Sequence, residues 1–338
     1  QKYWPHNYFR YKAYTKGYDV RELQYYLPGR LMNFIREDCV NDQSCKDFCN
    51  DKVQFKRILM ENALPTAEPI GYFSRGQGYF RLDDSPIDEA EFLNNLDGYY
   101  VIKPSRDTSC GRGILFFSTD QQSAIVNFGD NHTILLNELR GYLSQHHNKC
   151  LLIERQLKQH PQMAVIYSHA VNTIRIDTLR CLDGNIINLN AYIRLGRGDR
   201  KVDNITAAEG VGGISVPIDH ISGRLKGIGK DRYLNEFIQH PDTGVAFEGI
   251  EIPFWNELKE LVCQAHRVFP KVNSIGWDVG ITPQGPVLIE GNHDYDMYGI
   301  QVMHGGYLKN KVFVEQMLGY IRQSPFRNKY ERYFLIKN

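Results

Sequence analysis

The alternation of apolar and polar positions sets out most of the chain. In VRELQYYLPGRLMNFIRED, Leu23, Tyr26, Leu27, Leu31, Phe34 and Ile35 recur at helical spacing around Pro28-Gly29, which predicts two short helices. NDKVQFKRILMENALPTAEPIGYF opens with Asn50 or Asp51 as a cap and carries a stripe of Val53, Phe55, Ile58 and Leu59. Pro65 then closes a helix, and PIGYF reads as a strand. DSPIDEAEFLNNL predicts a helix with an acidic first turn. GYYVIKPS and ILFFS are strands on either side of the loop SRDTSCGRG. DQQSAIVNFG and ILLNELRGYLSQHH are expected to be helical, and CLLIERQL a buried strand. NTIRIDTLRC, IINLNAYIRLG and GGISVPID alternate as antiparallel strands, the first two joined by the turn LDGN. FWNELKELVCQAHRVF is an amphipathic helix, SIGWDVGIT and GPVLIEGN form a hairpin, and a last helix runs from about Lys309 to Arg322. Interleaved helices and mostly antiparallel strands predict an α+β fold, not a parallel β-α-β wind.

Composition narrows the picture. The 338 residues carry a net charge of +1 and are 42% apolar, which fits a globular chain of two or three compact units and gives no electrostatic case for nucleic-acid binding. No run reaches the length of a membrane span or reads as a signal peptide. The chain begins at Gln, which leaves room for an upstream segment. Seven scattered Cys argue against a disulfide framework and for a reducing, cytoplasmic setting. Cys39, Cys45 and Cys49 cluster, but their spacing fits no common zinc pattern, and buried free thiols are the plainer expectation.

Four groups of residues point to chemistry. Lys103 ends a strand before a Ser/Thr/Gly loop in which Gly111 and Gly113 allow close backbone approach to an anion; a solvated hairpin is the alternative. Glu154 sits in an apolar strand that offers backbone groups and a carboxylate to a purine edge. Asp278 lies mid-strand and Glu290 near the end of the partner strand. Asn292 is two residues beyond Glu290 and so on the same face. Buried carboxylates are costly unless paired or metal-bound, and two carboxylates with an amide oxygen suit Mg²⁺. Arg175, Arg194 and Arg197 form a basic set suited to carboxylate or phosphate oxygens, or else a charged sheet surface.

In this order the groups resemble the ATP-grasp superfamily over roughly residues 50–320. VIKPSRDTSCGRG, LLIERQL and EGN are similar to D-alanine–D-alanine ligase segments. KQHPQMAVIYSHAVNTIRIDTLR, VDN followed by GVGG, and SIGWDVGITPQGPVLIEGNHDYDMYGIQ look closer to the sugar-transfer-associated ATP-grasp group. The resemblance implies ATP and Mg²⁺ as cofactors. Lys52 and Lys103 would meet the phosphates, with Ser105, Ser109, Gly111 and Gly113 in the lid. Glu154, Arg155 and Leu157 would hold adenine, and Asp278, Glu290 and Asn292 the metal. Arg175, Arg194, Arg197 and Lys103 would be catalytic. Asp203, Asn204, Gly212, Gly213, Asp294, Asp296 and Gln301 would face substrate.

The same resemblance divides the chain into an N-terminal region (1–95), a small lobe (96–155) and a large lobe (156–338). No acidic residue follows the Glu154 strand where many members bind ribose, and Gly276-Trp277 precede Asp278 where ligases often supply an Arg. The expected activity is a carboxylate–amine ligase acting through an acyl phosphate. Its partners would be a small or sugar-linked carboxylate and an amine, possessed of a link to polysaccharide biosynthesis enzymes. A phosphotransferase and a non-catalytic nucleotide-binding module are the competing readings.

Overall fold

The computed structural model describes residues 4–106, 112–120, 122–129, 132–146, 150–204 and 212–335. The chain divides into two compact units. One holds residues 47–158 with 287–290, and the other holds 1–46, 159–286 and 291–338.

The first unit carries an eight-stranded sheet. In chain order its strands are β1 (Pro69–Ser74), β2 (Gly78–Phe80), β3 (Pro86–Ile87), β4 (Gly98–Pro104), β5 (Leu115–Asp120), β6 (Ile125–Asn127), β7 (Thr133–Leu135) and β8 (Leu151–Arg155). Their spatial order is β3-β2-β1-β8-β4-β5-β6-β7, and the pairings are antiparallel. β8 is thus inserted between β1 and β4, which places Glu154 opposite Val101 in the sheet's middle. The core includes Phe73, Tyr79, Phe92, Tyr100, Phe117 and Leu143, all from the segment that precedes β8. The helix Lys52–Glu61 starts as expected: Asp51 accepts hydrogen bonds from the Val53 and Gln54 amides.

One sequence expectation fails here. DQQSAIVNFG is not helical, because Ala124 takes a left-handed φ of 51° and Ile125–Asn127 pair with β5 instead. The branched Ile and Val gain more from sheet pairing, with Val126 fully buried, than from a short polar helix. Thr133–Leu135 likewise extend as β7, so the following helix begins only at Leu139. The helix after DSPID begins at Glu89 with Asp88 as its cap, since Pro86-Ile87 are drawn into β3.

The second unit carries a seven-stranded sheet of β9 (Ile174–Arg180), β10 (Ile186–Leu195), β11 (Ile214–Pro217), β12 (Gly229–Lys230), β13 (Glu236–Phe237), β14 (Ser274–Thr282) and β15 (Gly285–Asn292). Its order is β13-β12-β11-β10-β9-β14-β15. One face packs under the Trp255–Arg267 helix, where the buried His266 ring faces Thr178 Oγ1 at 2.7 Å and the Trp277 indole donates to the same hydroxyl. Buried Leu179, Tyr192, Tyr295 and Tyr307 pack with Leu31 and Ile35 from the N-terminal segment and Phe313, Met317 and Ile321 from the C-terminal helix. The N-terminal segment therefore completes this unit's core. No helix among the described residues is long and apolar enough to cross a membrane.

Candidate active site

In the eight-stranded unit, one charged cluster forms around Glu154. The Lys52–Glu61 helix presents Lys52 and Lys56 one turn apart on one face. Lys56 Nζ lies 2.7 Å from Glu154 Oε1, and Lys103 Nζ, arriving from β4, lies 2.6 Å from Glu154 Oε2. Lys52 Nζ is 3.4 Å from Glu290 Oε1. The side chains of Lys56 and Glu154 are each only 1% exposed. Burial works to raise the Glu154 pKa, but the two ammoniums overcome it and hold the carboxyl below its ordinary value. Three ammoniums face two carboxylates here, which leaves surplus positive charge suited to an anion.

Around this cluster, the Ser105 carbonyl accepts the Lys52 amide, and the Ser105 amide donates to the Cys150 carbonyl. The loop's start is thereby tied to both the helix and β8. Gly113 has a φ of 72°, a conformation that favours glycine. Ser109 and Gly111 lie outside the described residues. The Arg155 amide donates to the Glu68 carbonyl, so that N–H is already used within the sheet. The Arg155 side chain pairs with Glu68, and Leu157 is half-buried.

The seven-stranded unit holds a second cluster, on the face of β9, β10 and β14. Cross-strand register places Asp278 directly opposite Arg175. The guanidinium grips the carboxylate with both arms, Nε to Oδ1 at 2.8 Å and Nη2 to Oδ2 at 3.1 Å. Arg194 Nη2 reaches the same Oδ1 at 3.0 Å. Arg194 also donates to Thr173 Oγ1 at 2.9 and 2.7 Å, while the Thr173 amide and hydroxyl donate to buried Asp203. Asp203 and Thr173 thus brace Arg194. Asp177, two residues along β9 from Arg175, is fully buried and accepts the Tyr307 hydroxyl. Burial pushes its pKa up to about 6. The Asn292 amide nitrogen is buried without a hydrogen-bond partner.

Several expected residues lie elsewhere or do structural work. Arg197 stacks over the Phe237 ring at 5.3 Å and has no contact in the Asp278 cluster. Gln301 does not face a substrate: it is fully buried, accepts the Leu27 amide and donates to the Leu27 carbonyl and Tyr11 hydroxyl. Asp296 caps the Met297–His304 helix through the Tyr298 amide and lies 3.8 Å from Arg10. Asp294 is exposed beside His293. The Asn204 carbonyl accepts the Gly213 amide. Gly213 has no room for a side chain, since a Cβ would meet the Leu195 carbonyl oxygen at 2.5 Å; Gly212 is buried beside it. Cys39, Cys45 and Cys49 form no disulfide among the described residues, and no group of three or more His, Cys, Asp or Glu side chains among those residues could hold a metal.

Sequence reading missed Lys56 and Thr173. Lys56 had a visible signal, a lysine between Val53 and Leu59 on the helix's apolar stripe. Thr173 had none, because its partners Asp203 and Arg194 come from distant segments.

A family described as sugar-transfer associated ATP-grasp matches residues 32–316. No curated protein matches. Among solved structures, D-alanine–D-alanine ligase from Bacillus anthracis in complex with ATP is 14% identical, covering 87% of this chain and 72% of that one, with a TM-score of 0.45. VanG D-Ala:D-Ser ligase from Enterococcus faecalis is 14% identical over 83% and 64%, with a TM-score of 0.47. N5-carboxyaminoimidazole synthetase from Staphylococcus aureus in complex with ADP is 9% identical over 76% and 52%, with a TM-score of 0.42. The chain thus spans less than two thirds of the length of the last two.

Proposed function

This chain belongs to the sugar-transfer associated ATP-grasp family, and from that premise we propose that it is an ATP- and Mg²⁺-dependent carboxylate–amine ligase. The observation that carries the reading is the Lys56–Glu154–Lys103 cluster with Lys52 beside it. A buried carboxylate holding two ammoniums at 2.6 and 2.7 Å pre-orients positive charge where a triphosphate would be neutralised. In this reading Lys52 and Lys103 meet the phosphates, the loop from Ser105 to Gly113 covers them, and the Glu154–Leu157 stretch meets the base.

Asp278, Glu290 and Asn292 would hold Mg²⁺. Their side-chain donors would all be oxygens, as a hard cation requires. The ion would supply charge neutralisation at the phosphate oxygens. Arg175 and Arg194, held in place by Asp278 and Thr173, would stabilise the phosphoryl group in transit. The γ-phosphoryl group passes to a substrate carboxylate. The amine then attacks the acyl carbon and phosphate leaves, giving an amide, ADP and phosphate.

The finer reading is a sugar-linked carboxylate, such as a uronic acid, joined to an amino acid or other amine in polysaccharide biosynthesis. The described cysteines, none of them in a disulfide, suit a cytoplasmic setting. The test is an ADP-release screen of uronic-acid sugars crossed with amino acids, with products read by mass spectrometry. A new amide, formed only when both substrates and Mg²⁺ are present, is expected. A phosphorylated product formed without any amine would overturn the ligase reading in favour of a phosphotransferase.

A further inference from the structure

Lys56 makes more contacts than a countercharge needs. Besides its pairing with Glu154, Nζ donates to the Thr66 hydroxyl and approaches the Leu288 carbonyl at 3.5 Å. The Thr66 hydroxyl donates to that same carbonyl at 2.7 Å, and the Leu288 amide donates to the Pro65 carbonyl at 2.9 Å. Residues 65–66 and 288 therefore run as a short parallel bridge within the eight-stranded unit. Leu288 stands two residues before Glu290, which is paired with Lys52 one helical turn before Lys56. The helix thus fixes both ends of one system: Lys52 on Glu290, and Lys56 on Glu154 and the Leu288 backbone.

Burying an ammonium is costly, and burial pulls Lys56 below its ordinary pKa. If neutralising Glu154 were the only requirement, Lys103 already supplies a cation at 2.6 Å. The second lysine and the Thr66 relay add a mechanical tie from β8 to the strand segment that carries Glu290.

We infer that Lys56, acting through Thr66, is a positioning residue that sets the backbone of residues 288–290, and with it the Glu290 carboxylate, relative to the Glu154–Lys103 pair. Lys56 touches neither nucleotide nor metal in this assignment. The inference rests on the ligase reading, in which Glu290 is a Mg²⁺ ligand.

The test uses the full chain and calorimetric titration of ATP at a series of free Mg²⁺ concentrations, with melting followed in parallel. Thr66→Val keeps both charges but removes the hydroxyl relay. Its half-saturating Mg²⁺ should rise about tenfold, the lower end of what outer-shell groups around metal sites contribute. Thr66→Ser should restore the wild-type requirement. A merely structural Thr66 would lower the melting temperature and leave the Mg²⁺ requirement unchanged, which overturns the inference while the ligase reading stands. If Thr66→Val does not fold, Lys56→Arg asks the same question with the charge kept and the reach altered, and an unchanged Mg²⁺ requirement there is equally fatal. Wild-type protein that binds no ATP at any Mg²⁺ concentration overturns the ligase reading and this inference together.

Discussion

Single residues carry the chemistry through their burial. Lys103 is half-shielded and held by Glu154, so Lys103→Ala removes a pre-oriented cation and lets the Glu154 carboxylate rely on Lys56 alone. ATP affinity measured by calorimetry should fall about 10- to 100-fold, the range of one charge-assisted contact; unchanged affinity would remove Lys103 from the site. Asp177 offers a pH-dependent test. Its folded pKa of about 6 lies above the ordinary 3.8, chiefly through burial. Its contribution to stability is therefore full below about pH 4 and is lost as pH rises through 6, a swing of about 3 kcal/mol. Asp177→Asn mimics the protonated form. In urea unfolding it should gain stability relative to wild type at pH 7.5, with the gain fading by pH 4.5; a pH-independent difference would refute the assignment.

At the scale of elements, the site depends on how strands approach one another. Gly213 precedes β11 and lies against the backbone of β10 and of Asp203, where a Cβ would stand 2.5 and 2.6 Å from carbonyl oxygens of Leu195 and Asp203. Neither oxygen can rotate away as a side chain would. Gly213→Ala should therefore cost about 2 kcal/mol or more and loosen the Asp203–Thr173–Arg194 brace. Hydrogen exchange should show faster opening of the Thr173 and Arg194 amides; native protection at both would refute it. The strands were largely legible because their alternation is strong: β9, β10, β14 and β15 fall where the pattern puts them. The stretch from Asp120 to Leu135 was not, because its helix-like spacing is short and the neighbouring β5 offered its branched residues a better partner.

For the molecule as a whole, the eight-stranded unit takes nearly all its residues from one continuous segment, 47–158, whereas the other is assembled from three. The core of Phe73, Tyr79, Phe92, Tyr100, Phe117 and Leu143 lies wholly inside that segment. Residues 47–158 expressed alone should melt cooperatively and give a dispersed amide NMR spectrum. A disordered fragment would mean that residues 287–290 are needed for its fold. The seven-stranded unit should show no such independence, since its core draws Leu31 and Ile35 from near the start of the chain and Ile321 from near its end.

The sequence by itself determined the α+β class, the main strands, the caps, the charged candidates Lys52, Lys103, Glu154, Arg175, Arg194, Asp278 and Glu290, and the neutral candidate Asn292. These are legible because local spacing and the cost of an acid in an apolar strand act over a few residues. Only the tertiary structure decided which charges meet. The pairing of Lys56 with Glu154, the grip of Arg175 and Arg194 on Asp278, and the burial of Gln301 against Leu27 span 84 to 274 positions. Long-range ion pairs leave no periodic trace in a sequence. Whether a lysine on an apolar stripe is a solvated end or a buried hub depends on which carboxylate the fold carries to it.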